Sequence, residues 1–245
     1  MENARKIALG FTLFFAIIAG IRVYLIHRER VEASKPAAAP VSRYKVTDDD
    51  LTQPRQLYPT TLKDAKTLIG KSVWVSAGGQ FEAYPCNGHA IDFTHSSGYL
   101  LGADELQVKD FIQTAAPKTV AIHIPPGDKQ VYLIFTRPGG DAKKFATPVG
   151  YIDATGYTFN LDNMFFYDDV HSLYKSWPQA TWDAVAKHEA VLGMTEKQVA
   201  LALGQPSQAD SNNLGNRTAK YYNMGKSVSV TFQNGKATNI EPTQL

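Results

Sequence analysis

His89-Ala-Ile-Asp-Phe-Thr-His95 places two imidazoles and a carboxylate within seven residues, side chains that could hold a metal ion or pass a proton. Conformation decides whether they meet. In a strand, which Ile91, Phe93 and Thr94 favour, His89 and His95 share a face while Asp92 points to the other. A helix could bring the three to one side, but Gly88 and Ser96-Ser97-Gly98 bound the run too tightly. Asp168, Asp169 and His171 form the second group in which a carboxylate beside an imidazole could activate water. Their simpler role is capping, with Asp168 or Asp169 at the start of a short helix reaching Trp177. His188 lies beside apolar neighbours on a helix face and reads as a packed or surface histidine. No G-x-S-x-G segment is present, and neither Gly78-Gly79 nor Gly139-Gly140 has phosphate-loop spacing. The single Cys86 excludes an intramolecular disulfide and reads as a small buried apolar residue. The chain is therefore expected to act without catalytic residues, metal or small-molecule cofactor. The alternative is an envelope hydrolase or metal-dependent enzyme using His89 and His95, or Asp168, Asp169 and His171.

Binding offers more than catalysis. Trp74, Phe81, Tyr84, Phe93 and Tyr99 fall in or beside consecutive strand-like runs, and a small β domain can present such rings as a groove for proline-rich or extended peptides. Tyr221 and Tyr222 are further candidates, as is the run 165–167. Core filling or packing between two small domains is the competing role for each of these rings. Nucleic acid is not an expected partner, because 25 Lys and Arg against 23 Asp and Glu leave a net charge of +2 without a long basic run.

The elements that must position these residues follow from pattern. The apolar run 7–26 is long enough to cross a bilayer as one helix, with Arg22 near its end able to reach the headgroups. A cleaved signal peptide ending near Ala33 would instead release a secreted, inhibitor-like protein, but His27 to Arg30 are unusual before such a site. A retained anchor over residues 1–30 is expected. Arg5 and Lys6 against Arg28, Arg30 and Lys35 lean toward a cytoplasmic body, although large domains often translocate regardless. Residues 31–60, with Lys35-Pro-Ala-Ala-Ala-Pro40 and Asp48-Asp49-Asp50, read as an extended linker. Residues 61–170 carry an amphipathic turn at 61–69, then short β-rich runs at 72–76, 80–84, 90–94, 119–124, 130–136, 145–152 and 157–159. Strands at that interval suggest a small antiparallel barrel or sandwich, with 103–113 as its one helical segment.

Beyond residue 176 the period becomes helical. A helix from Pro178 toward Leu192 stops at Gly193, and Thr195 with Gln198 forms a capping box for a second helix ended by Gly204 and Pro206. Strands at 218–223 and 227–233 follow, and Asn234-Gly235 signals a two-residue hairpin into 236–240. An uninterrupted ladder would pair Phe232 with Ala237 and Ser229 with Ile240, which puts Ile240 on the wrong side of the main apolar face.

Residues 191–240 resemble the SmpA/OmlA family that includes the outer-membrane assembly lipoprotein BamE. The matching residues are Gly193-Met194-Thr195, Gln198-Val199, Leu203-Gly204-Gln205-Pro206 and Phe232-Gln233-Asn234-Gly235. The resemblance implies a two-helix layer on a three-stranded sheet over 176–245, in an envelope protein that binds other proteins; β-lactamase inhibitor proteins have a related layout. It departs from the family in its apolar span, where members carry a lipid, and in its additional β domain. Together these readings predict an α+β, single-pass bacterial inner-membrane protein with a periplasmic body, partnered by the membrane through its N-terminal helix and by other envelope proteins.

Overall fold

The strand signals between residues 70 and 168 assemble into one antiparallel sheet of eight strands: β1 (Ser72–Val75), β2 (Tyr84–Asn87), β3 (Ala90–Ile91), β4 (Glu105–Thr114), β5 (Lys129–Thr136), β6 (Lys144–Asp153), β7 (Gly156–Phe159) and β8 (Phe165–Phe166). The computed structural model describes residues 22, 24–28, 48–115, 117, 129–140 and 142–243, and groups Tyr44–Leu245 as one unit. The sheet order is β3-β2-β6-β5-β4-β1-β8, with β7 beside the second half of β6, and it does not close. The expected barrel or sandwich for the middle region is thereby corrected to an open sheet. The strand expected at 119–124 lies outside the described residues.

β5 is the central strand and is covered on both faces. Val131, Leu133 and Phe135 enter the main core with Val73, Val75, Leu106 and Val108, while Tyr132 and Ile134 pack with Ile112 and Ala146 on the opposite side. Residues 103–113, expected to be helical, form most of β4 instead. The cause is a bulge. Val108 pairs with Phe135 and Asp110 with Ile134, which leaves Lys109 as an extra residue. The core side chains are therefore Leu106, Val108 and Phe111 rather than every second residue, and this broken alternation imitates a helical stripe.

The second sheet has four strands in the order β12-β11-β10-β9: β9 (Gln208–Ala209), β10 (Thr218–Asn223), β11 (Lys226–Gln233) and β12 (Lys236–Thr243). The three-stranded expectation is corrected by β9, two residues paired with β10. Asn234 and Gly235 have φ of 51° and 80°, the left-handed pair that a tight hairpin requires. Phe232 faces Ala237 as expected, but a bulge at Thr238 moves Ile240 opposite Val230 and brings it to the core. The misplaced isoleucine of the uninterrupted ladder disappears.

Short helices complete the unit: α1 (Asp48–Leu51), α2 (Leu62–Lys66), α3 (Leu161–Met164), α4 (Val170–Leu173), α5 (Gln179–Ala186) and α6 (Glu196–Leu203). The capping box of α6 is formed by Thr195 and Gln198, and its Val199, Ala202 and Leu203 are buried against Ala219, Tyr221, Val230 and Phe232. α5 is shorter than the span to Leu192. Pro178 is its N-cap, and the chain turns at His188, whose φ is 56°. Gly193, with φ of 85°, serves another purpose. Its N–H donates to the Ala237 carbonyl and the Ala237 N–H donates to Met194, so this pair of residues covers part of the outer edge of β12.

Both cores share a wall. Val73 and Val75 enter the first core while Trp74 packs on the second, and Phe165 and Phe166 divide in the same way. Alternation along the paired strands β1 and β8 therefore ties the two sheets together. A strap over 48–60 adds a second tie. Asp49 is buried and accepts from Trp177 Nε1 at 2.7 Å, Lys197 Nζ donates to the Asp49 carbonyl, and the Asp162 carboxylate accepts from the Leu57 and Tyr58 amides. The last part of the segment read as a linker is thus packed.

Among the described residues no helix is long and apolar enough to cross a membrane, so the expected transmembrane helix and single-pass inner-membrane location are not supported. Apart from residues 22 and 24–26, the apolar run 7–26 lies outside the described residues, as does the cleavage site near Ala33.

Candidate functional site

Four glycines line the seam between the two halves, three of them facing backbone. A methyl group on Gly102 would lie 1.8 Å from the Leu201 carbonyl oxygen, one on Gly78 would lie 2.9 Å from that of Ala202, and one on Gly204 would lie 2.7 Å from that of Gly78. The fourth, Gly79, has φ of 74° and lies against the ring of His188. Beside this seam opens a groove of about 530 Å³. Phe81 and Gln80 reach it from the β1–β2 connection, Tyr99 from the segment bridged to Glu82, Pro206 from beyond α6, and Tyr222 from β10. Asn160, Gln205 and Ser207 complete its polar lining, and no Asp, Glu, Lys, Arg or His is among the lining residues. The Gln80 side-chain amide donates to the Gln205 carbonyl at 3.2 Å and joins the two walls. Burial, followed by the Glu82 carboxylate and Tyr222, pushes the Tyr99 phenol up, so it remains a neutral hydrogen-bonding group at ordinary pH.

The sequence-derived aromatic candidates divide sharply. Phe81, Tyr99 and Tyr222 converge on this groove, and Tyr222 is 49% exposed. Trp74 packs on the second core. Tyr84 is buried edge-to-face with Phe93 at 5.6 Å and donates its hydroxyl to Glu82, while Tyr221 is fully buried. The motif residues Met194, Thr195 and Gln198 are buried parts of the helix and edge framework, and Asn234 and Gly235 form the hairpin turn. Pro206, read as a helix stop, is also a groove wall; nothing local in the sequence marks that second role. Gln80, Asn160 and Gln205 carry no sequence signal because uncharged amides occur throughout surfaces.

Neither histidine group gathers all three of its residues, but each brings a pair together: residues 92–95 leave the strand, so Asp92 meets His95 against expectation, and His171 Nδ1 lies 3.5 Å from Asp169. His89 is exposed and lies 3.2 Å from Asp110, and His95 is exposed and lies 2.8 Å from Asp92. Thr94 and His95 hold the Asp92 carboxyl down at about 2. Burial opposes ionisation of Asp110, yet the Phe111 amide, Lys66 and His89 hold its carboxyl below the ordinary value. Asp169 caps α4 by accepting from the His171 amide, Asp168 pairs with Arg55 at 3.4 Å, and the His171 ring lies tilted against Trp182 at 4.2 Å. Among the described residues no group of three or more His, Cys, Asp or Glu could hold a metal ion.

Two other cavities differ in character. A cavity of about 680 Å³ near Cys86 is lined by Arg137, Lys143 and Lys144 together with Asp92. Burial pushes the Cys86 thiol up against the opposing pull of Lys144, which keeps it protonated rather than nucleophilic. A smaller one, about 280 Å³, lies where the strap crosses Tyr174 and Lys197. We regard the seam groove as the best candidate because it joins neutral hydrogen-bonding groups to converging aromatic faces at the junction of two sheets. No family model, curated protein or solved structure matches the chain. The likeness of residues 191–240 to the SmpA/OmlA family accordingly rests on its motif residues alone.

Proposed function

We propose that this protein acts non-enzymatically as a protein-interaction or scaffold module, holding an extended, proline-containing segment of a partner in the seam groove. The observation that carries this reading is the convergence of Phe81, Tyr99 and Tyr222, from three separated stretches of chain, on one groove without a charged lining residue. Proline rings pack on aromatic faces, and an extended proline-rich backbone leaves its carbonyls free to accept from tyrosine hydroxyls and side-chain amides. A charge-free lining favours an uncharged segment, since a buried ion would find no partner there. The test is selection of peptides from a displayed random library on the full chain at pH 7.5. Proline-containing, uncharged sequences are expected to be enriched, and Tyr222→Ala is expected to weaken them roughly tenfold, as loss of an aromatic anchor does. Selected peptides that bind Tyr99→Ala and Tyr222→Ala as tightly as the wild type would refute the assignment.

A further inference from the structure

His188 is 3% exposed and neither of its ring nitrogens has a hydrogen-bond partner. It lies just beyond α5 with a left-handed φ of 56°, a conformation that costs a non-glycine residue about 1 kcal/mol. The ring rests flush on the Cα of Gly79: a methyl there would come within 2.5 Å of Cε1 and 2.7 Å of Nε2. Gly79 and the adjacent Gln80 are groove-lining residues. An imidazole without a partner is therefore wedged behind one wall of the site.

We propose that His188 is a pH gate for the seam groove: protonation drives the imidazole out of the seam, moves the Gly79-Gln80 wall and releases the bound segment. The groove reading of the preceding section is the basis for the release step, whereas the seam opening stands on the geometry of His188.

Few polar groups act on the buried ring. From α6 the Ala202 carbonyl lies near enough to favour the cation, but no hydrogen bond of normal geometry forms; from the β1–β2 connection the facing group is Gly79. No charged side chain among the described residues acts on the ring, and its charged chain neighbours Lys187 and Glu189 are exposed. Burial thus depresses the affinity of the closed state for a proton. The neutral ring contributes its stability above the ordinary histidine value of about 6.5, and that contribution is lost as pH falls through 6.5 toward the lower value of the closed seam. Beyond the ring, residues 189–192 form no helix, and Val191 and Leu192 are exposed. The contacts resisting movement include single hydrogen bonds: His188 N–H to Val185 at 3.0 Å, Glu189 N–H to Ala184 at 3.0 Å, Gly78 N–H to Leu201 at 3.3 Å, Gly79 N–H to Leu100 at 2.7 Å and the Gln80 side-chain amide to Gln205 at 3.2 Å.

A ring that titrates normally when open and binds a proton more weakly when closed increases the open population by up to about tenfold between pH 7.5 and pH 5.5. Hydrogen–deuterium exchange of the full chain, corrected for intrinsic exchange, reads this at the amides of Gly78, Gly79 and Gly204. Opening is expected to rise severalfold, up to about tenfold, in the wild type and to stay flat in His188→Asn, since asparagine accepts a left-handed backbone but does not titrate. Wild-type protection that is the same at both pH values overturns the gate. So does a His188 ring resonance that titrates at its ordinary value while seam protection persists, a measurement that needs no variant. A library-selected peptide whose Tyr222-dependent affinity is unchanged by acid overturns the gate and leaves the groove standing. Acid-driven seam opening without any Tyr222-dependent peptide supports the hinge and overturns the groove.

Discussion

Gly102→Ala tests whether the two sheets are one mechanical body. Gly102 has no left-handed φ, so alanine meets no backbone penalty there; the whole effect must come from the neighbour. That neighbour is rigid. The new methyl would sit 1.8 Å from the Leu201 carbonyl oxygen and 2.8 Å from its carbon, and the oxygen belongs to the last turn of α6. Restoring van der Waals distance requires α6 to retreat by more than an ångström. Overpacking of this kind costs about 1–3 kcal/mol. The retreat also stretches the 3.3 Å hydrogen bond from Gly78 to Leu201, worth about 0.5–1.5 kcal/mol. A total near 2–4 kcal/mol corresponds to a fall in Tm of roughly 4–16 °C for a domain of this size. Urea unfolding followed by tryptophan fluorescence is the assay, because Trp74 reports on the shared wall and Trp177 and Trp182 on the second core. Gly140→Ala is the control, since its methyl would meet only the Arg137 carbonyl oxygen at 3.6 Å. If Gly102→Ala lies within about 0.5 kcal/mol of the wild type, the seam is not close-packed and the argument built on it fails.

Asp49→Ala should cost about 1–3 kcal/mol by leaving the buried Trp177 Nε1–H without an acceptor, and Asp49→Asn should recover most of it; equal stability of all three proteins in urea would show that the strap is not bound. Arg217→Ala should destabilise by about 3–5 kcal/mol, because Glu196, with its side chain only 14% exposed, would keep the Gly215 amide and lose its cation. Arg217→Lys should not restore that loss, since Nε and Nη2 both donate to Glu196 while Nη1 donates to the Ser211 carbonyl; full rescue by lysine would contradict the fork geometry.

What the sequence determined by itself is closed within a few residues. The capping box of Thr195 and Gln198, the Asn234-Gly235 turn and the cap at Asp169 each satisfy a backbone group three or fewer positions away, so residue type and spacing suffice. The tertiary structure decided what depends on partners far along the chain. The bulges at Lys109 and Thr238 exist because neighbouring strands set the register, which is why 103–113 reads as helix yet pairs as strand. The left-handed turn at His188 carries no glycine to announce it, and its ring is explained only by Gly79, more than a hundred residues earlier. Likewise Phe81, Tyr99 and Tyr222 become one surface only because Gly78, Gly102 and Gly204 let two backbones touch, and a glycine in sequence does not say what will lie where its side chain is missing.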